Sequence, residues 1–182
     1  MYKRQGYYAE SLCPDCIAFS NGPLTKAFQQ ISSIFTLHYV PWGNAEVTKS
    51  GKFECQHGKM ECTINTVEAC VLYFYPSQSQ FWPFLHCMDS HEESQDLDIA
   101  QQCADSCNMD WDSIDTCVTG DLGHKLELMY ANETASLRPP HQYTPWVTIN
   151  GEHISKAEGS GLIEVVCKAY TGPNKPEACD HL

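Results

Sequence analysis

Positive charge is what this chain has least of: 11 Lys and Arg stand against 23 Asp and Glu, a formal net charge of −12 at pH 7. Nucleic acid and anionic lipid surfaces both select a basic footprint, so neither is an expected partner. No stretch approaches the ~20 consecutive apolar residues of a membrane-spanning helix, which argues against membrane insertion. Metal-ligand spacing is also missing. His38, His86, His91, His124, His141 and His153 fall in no ligand pattern and read as surface or packing residues, and neither a metal nor a cofactor is expected. There is no internal repeat, no low-complexity tract and no linker long enough to divide 182 residues into independent domains.

Cysteine, by contrast, is abundant, with 11 in the chain. That density suits passage through an oxidising secretory route better than the cytosol. Asn132-Glu133-Thr134 is an N-glycosylation acceptor and fits the same route. No secretory leader is visible. The opening Met1-Tyr2-Lys3-Arg4-Gln5 resembles the translation of a transposase adaptor. Residues 1–6 are therefore expected to be foreign or disordered, with a signal peptide missing from a truncated chain.

The stretch around which the rest is organised is Tyr7-Tyr8-Ala9-Glu10-Ser11-Leu12-Cys13-Pro14-Asp15-Cys16. It reads as a strand end, a tight turn, and a Cys-x-x-Cys opening a helix. The first N–H groups of a helix lack carbonyl partners and carry partial positive charge, so a sulfur placed there is stabilised as thiolate, the reactive form. From these residues alone, a redox pair and a structural disulfide stand level. In a redox reading Cys13, at the helix start and nearer solvent, attacks, and Cys16 resolves. A free cysteine with a pKa of ~8.5 is thiolate in only about one molecule in ~3,000 at pH near 5. Activity in acid thus needs a strongly lowered Cys13 pKa, and an ionised Asp15 is expected to oppose it.

Taken in order, the apolar spacing predicts a bent helix from about Asp15 to Ser33, broken near Asn21-Gly22-Pro23, then a strand over Phe35 to Val40. Lys49 to Phe53 reads as a polar loop and Glu61 to Tyr75 as a helix. Further helices follow between Phe81 and Tyr130, where bridges between different helices are preferred to one joining Cys103 and Cys107. Thr144 to Ile149 is a strand, Asn150-Gly151 a hairpin turn, and Gly161 to Tyr170 a closing helix. Pro145 is a candidate for a cis bond. A bridge between Cys167 and Cys179 is expected to pin the Gly/Pro-rich tail. This order is the plan of an α/β, thioredoxin-like fold with a helical, disulfide-stapled insertion at about 55–135. The expected organisation is a single domain over residues 7–182.

The sequence resembles the gamma-interferon-inducible lysosomal thiol reductase family. The resemblance rests on Cys55-Gln56-His57-Gly58, two residues, Glu61-Cys62, two residues, Asn65, four residues, Cys70. Tyr8 to Cys16, Pro41 to Asn44 and Pro139 to Gly151 also resemble family blocks, so the likeness runs from about Tyr7 to Cys179. It implies a soluble, glycosylated thiol reductase of protein disulfides, lysosomal, endosomal or secreted, with Cys13 and Cys16 as the active pair. Its partners would be disulfide-containing proteins and a small-molecule or protein thiol supplying electrons. Thr144 and Pro145 would face the pair, and the Thr144 backbone would hold substrate as a short strand. His57 is read as a loop-holding residue in preference to one that reaches the active site. Nine cysteines remain beside the active pair, an odd number, so one is free, paired between chains, or has lost its partner.

Three other readings compete. One is a secreted disulfide-rich binding module with a structural Cys13–Cys16 bridge, although so short a loop adds little stability. Another is an oxidase or isomerase of the same fold, because reduction potential, not sequence, sets the direction of electron flow. The last is a zinc protein using Cys13, Cys16, Cys55 and His57, disfavoured where ligands must be deprotonated in an acidic, oxidising setting.

Overall fold

The computed structural model describes residues 3–91 and 95–180. Strand β1 (Lys3–Ala9) leads into α1 (Pro14–Phe19), a π-helical turn Ser20–Leu24, and α2 (Thr25–Ile31). Pro23 lies inside the π turn, where its missing N–H bends the run without ending it. β2 (Phe35–Pro41) returns parallel to β1, pairing Lys3 with Phe35 through Ala9 with Pro41. A small antiparallel pair follows, β3 (Glu46–Val47) with β4 (Phe53–Glu54), inside a stretch whose polarity suggested only a loop. Two-residue strands are too short to leave a periodic signal.

Among the described residues, five helices then form the insertion: α3 (Lys59–Phe74), α4 (Gln78–Asp89), α5 (Leu97–Ser106), α6 (Trp111–Thr119) and α7 (Asp121–Ala135). The chain re-enters the sheet as β5 (Trp146–Ile149), antiparallel to β1. It turns through Asn150 and Gly151, both at positive φ, into β6 (Glu152–His153), and closes with α8 (Leu162–Ala169). Positive φ at both positions matches the twist of a two-residue hairpin. The sheet order is β2-β1-β5-β6. β1 is therefore central, and its carboxyl end delivers the Cys13 loop to the edge of the core. Every residue of β5 is buried, so its run of Trp, Val, Thr and Ile shows no alternation.

Disorder over residues 1–6, expected from the adaptor-like start, does not hold for Lys3–Gly6. All four pair with β2 in β1, Gln5 and Gly6 pair with β5 as well, and Gln5 is fully buried there. Met1 and Tyr2 lie outside the described residues.

Four disulfides staple the chain: Cys55–Cys62, Cys70–Cys117, Cys87–Cys103 and Cys167–Cys179. Cys70–Cys117 ties α3 to α6, and Cys87–Cys103 ties α4 to α5. The first closes a sequence separation of 47, for which loop-closure entropy gives about 4 kcal/mol, against about 2.4 kcal/mol for the separation of 7 between Cys55 and Cys62. The α3–α6 staple is thus the largest single cross-link of the insertion. The free cysteines are Cys13, Cys16 and the half-buried Cys107.

The core is unusual for its buried acids. Glu68, Asp89 and Glu127 are at most 7% exposed, and Tyr39 donates its hydroxyl to Glu68 Oε2 at 2.9 Å. Burial raises the pKa of each, with Asp89 pushed up to about 7. A carboxyl raised in the folded state binds its proton more tightly there than in the unfolded chain, where its pKa is near 4. The stabilisation is then full below pH ~4 and is lost as pH rises through the folded value near 7. Unfolding by urea is accordingly expected at a higher midpoint at pH 5 than at pH 8, reflecting an unfolding free energy larger by roughly 2–4 kcal/mol for Asp89 alone. The measurement is made on protein with Cys13 and Cys16 oxidised, so that thiol titration does not contribute. A higher midpoint at pH 8 would contradict the burial of these acids as neutral groups.

Candidate functional site

Cys13 is the residue at which chain direction changes from strand-end turn to helix. Its backbone is extended (φ −72°, ψ 118°), Pro14 occupies the first helical position, and the Cys13 carbonyl accepts the first helical bond from Ile17 N at 3.0 Å. Proline suits that position because its fixed φ is helical and the N–H it lacks would be unpaired anyway. The next backbone N–H groups, of Asp15 and Cys16, bond to the Cys13 sulfur.

The two thiols act on each other, and their acidities separate. The Cys13 thiol is pulled down to about 6, chiefly by the Cys16 side chain, then by the Thr144 hydroxyl and the two backbone N–H groups, against an opposing push from burial. Cys16 is driven up, first by burial and then by the neighbouring Cys13. Cys13 is 6% exposed and Cys16 2%. A nucleophile nearer the surface and a protonated partner behind it is a division of labour that thiol–disulfide exchange can use. At pH 5 a pKa near 6 leaves about one molecule in ten as thiolate, some 300-fold more than a free cysteine.

Thr144 and Pro145 stand opposite the pair, joined by a cis peptide bond. Thr144 Oγ1 lies 3.5 Å from Cys13 Sγ and 3.5 Å from Glu10 Oε2. Beside them runs an open groove of about 490 Å³, lined in part by Asp15, Phe19, Tyr143, Thr144, Pro145 and Glu158. Its far wall is held by Glu158, which accepts hydrogen bonds from Tyr143 Oη at 2.8 Å and Val147 N at 3.2 Å and pairs with His153 Nε2 at 2.7 Å. His153 in turn stacks on Trp146, with ring centroids 3.4 Å apart.

The signature residues lie directly behind the Cys13 turn. Asn65 Oδ1 accepts a hydrogen bond from Ser11 N at 2.9 Å, and Ser11 Oγ donates to the Glu61 carbonyl at 3.3 Å, so α3 grips the turn. His57 Nδ1 is 2.6 Å from Glu61 Oε2 and 3.5 Å from Glu10 Oε2. Glu61 Oε1 accepts from His57 N at 2.9 Å, and Glu10 Oε1 accepts from Asn44 N at 2.5 Å. Gly43 makes room for the Glu10 side chain: a Cβ there would come within 2.2 Å of Glu10 Cγ, and its φ of +58° also favours glycine. Cys55–Cys62 closes the loop carrying His57.

The sequence reading placed the opposing acid at Asp15. Its side chain is exposed, and its backbone N–H favours the Cys13 thiolate. The carboxylate that faces the pair is Glu10, 1% exposed, which the sequence reading passed over along with the side chain of Glu61. Glu61 was visible as a signature position. Glu10 gave one signal only, a charged residue directly after the apolar run Tyr7-Tyr8-Ala9. His57 does hold its loop, and it also reaches the acid behind Cys13. Asn132 is exposed in the last turn of α7, while Thr134 of its sequon is buried. Cys167 and Cys179 join α8 to the final 3₁₀ turn, far in sequence from the active loop.

Among the described residues, two groups of side chains bring donor atoms of metal-ligating type within 4.8 Å of one another: Glu10, His57 and Glu61, and Cys87, His91 and Cys103. The second has both sulfurs committed to a disulfide. The first is already satisfied internally by the His57–Glu61 and Glu10–Asn44 bonds, so it reads as a hydrogen-bonded cluster.

Residues 6–107 match the protein family described as gamma interferon inducible lysosomal thiol reductase (GILT). The chain is 41% identical over 180 residues to the gamma-interferon-inducible lysosomal thiol reductase of Carassius auratus, covering 94% of this chain and 70% of that protein. It is 37% identical to the gamma-interferon-responsive lysosomal thiol protein of Arabidopsis thaliana, covering 95% and 73%. Identity to the Mus musculus thiol reductase is 34%, covering 98% and 72%. Among solved structures, oxidised BdbD from Bacillus subtilis superposes with a TM-score of 0.70 at 14% identity, covering 91% of this chain and 86% of that one. DsbA of Chlamydia trachomatis gives 0.69 at 11%, covering 91% and 85%. At such identities these two likenesses establish the thioredoxin-like fold.

Because the Cys16 side chain is the largest influence lowering Cys13, Cys16→Ala is expected to raise the Cys13 pKa from about 6 toward the ordinary cysteine range. The midpoint of iodoacetamide alkylation rate against pH reads this directly. A midpoint that stays near 6 in the variant would leave the backbone N–H groups and Thr144 as the sufficient cause.

Proposed function

The chain belongs to the gamma-interferon-inducible lysosomal thiol reductase family, and from that premise we propose that it reduces disulfides of protein substrates through Cys13 and Cys16 in an acidic endosomal or lysosomal lumen, or after secretion. The observation that carries this is the split pair: one sulfur lowered to about 6 and one raised, beneath Thr144 and cis Pro145. The Cys13 thiolate attacks one sulfur of the substrate disulfide, forming a mixed disulfide and expelling the other sulfur as thiolate, which takes a proton from solvent. Cys16 loses its proton and attacks Cys13 Sγ. The Cys13–Cys16 bond forms, the bond to substrate breaks, and the second substrate sulfur leaves with the electron pair. Two electrons pass from the dithiol to the substrate, and a small-molecule or protein thiol restores the pair.

The groove between α1 and Tyr143–Glu158 supports an extended peptide as substrate. Acid working conditions agree with the lowered Cys13 and with a core whose buried acids are neutral in acid. Exposed Asn132 is the proposed glycosylation site. The free state and unequal acidity of Cys13 and Cys16 favour this reading over a structural bridge in a binding module.

The test is reduction of insulin or denatured IgG at pH 4.5 and pH 7, with Cys13→Ser beside the unaltered protein. Turnover by the unaltered chain at both pH values is expected, and a loss of about three orders of magnitude or more in the variant. Equal turnover by both proteins would overturn the assignment.

A further inference from the structure

The pair must hold a thiolate in acid, yet a buried carboxyl sits one hydroxyl away from it. Thr144 Oγ1 is 3.5 Å from Cys13 Sγ and 3.5 Å from Glu10 Oε2, and it also hydrogen-bonds Cys16. Glu10 cannot swing away: Asn44 N holds one oxygen, His57 Nδ1 and Thr144 border the other, and Gly43 packs against its Cγ. His57 is fixed by Glu61 at 2.6 Å, and Glu61 is fixed through α3, which also grips Ser11. Thus the signature His57-x-x-x-Glu61 ends on the one carboxyl that faces the reactive sulfur.

We propose that Glu10 is a positioning residue that takes the Cys13 proton through the Thr144 hydroxyl, so that Cys13 and Glu10 share one titrating proton across that hydroxyl, and that His57 and Glu61 exist to hold Glu10 for this task. The inference rests on Cys13 being the reactive thiol of the proposed function. The exchange is neutral overall. The Cys13 S–H proton passes to Thr144 Oγ1 as the Thr144 proton passes to Glu10 Oε2, giving a thiolate and a carboxylic acid where there were a thiol and a carboxylate. No electron moves and no co-reactant is needed.

The surroundings set the balance. Facing Glu10 are Cys13 and Cys16 from the loop and α1, His57 ahead of α3, Glu61 on α3, and the uncharged Thr144; His141 on the connector reaches the backbone of Gly43. Burial, then the negative charges of Glu61 and Cys13, push Glu10 up to about 7, against the Asn44 bond and His57. His57 is held up despite its partial burial by Glu61 and Glu10. Two groups titrating this close, across one hydroxyl, lose their protons in two coupled steps rather than independently. In acid the neutral carboxylic acid spares Cys13 a second negative charge beside it.

The test reads the Cys13 thiol itself, so its outcome is separate from whether the protein turns over any substrate. Alkylation rate against pH is measured on the full chain and on Glu10→Gln, which keeps the shape and removes the titration. The unaltered protein is expected to give a broad, two-step profile. Glu10→Gln should collapse it to one ionisation with a lower midpoint, changing reactivity by no more than about twofold at pH 7, where a thiol near 6 is already mostly thiolate, and by no more than that at pH 5. Thr144→Val, which spares the buried acid, should also give a single step, and Thr144→Ser should restore two. A single-step profile in the unaltered protein, or a two-step profile that persists in a folded Glu10→Gln or Thr144→Val protein, would overturn the proposal.

Discussion

A sulfur held between helix-start N–H groups, a partner thiol and a threonine hydroxyl is the arrangement on which the remaining structure depends. None of those donors is strong alone, and burial works against all of them. Together they take Cys13 down to about 6. Each comes from a different part of the chain: the N–H groups from α1, the hydroxyl from the segment before β5, 131 residues away. The sheet order that places β1 between β2 and β5 is what brings them to one point.

The helical insertion serves the same point from behind. α3 holds the turn before Cys13 through Asn65 and Glu61, and the Cys70–Cys117 staple holds α3 to α6. The signature cysteines are therefore structural, and its histidine and glutamate connect that structure to the reactive loop. A residue spaced 44 positions from Cys13 can matter to its chemistry because the connection runs through side-chain contacts of 2.6–3.5 Å rather than through chain continuity.

Much of this was legible beforehand. The strand–Cys-x-x-Cys–helix order, the bent helix at Pro23, the Asn150-Gly151 hairpin and the helical character of the insertion all follow from local rules of periodicity and turn chemistry. The β3–β4 pair left no periodic trace, and the strand pairing of Lys3–Gly6 was hidden by a polar stretch read as foreign. The role of Glu10 was illegible for a different reason. Its neighbours in space, Asn44, His57 and Thr144, come from three separate segments, and side-chain burial of an acid is a property of tertiary packing. Local reasoning chose Asp15, the acid next in sequence, where the fold chose Glu10.

The central claim is that Cys13 acts as a nucleophile in acid while Cys16 waits as a thiol. Trapping tests it most directly. Cys16→Ser protein is mixed with a disulfide-linked peptide at pH 5, quenched with acid, and mapped by mass spectrometry. The account predicts a stable mixed disulfide carried on Cys13. Adducts confined to Cys107, or no adduct at pH 5 while one forms at pH 8, would contradict it.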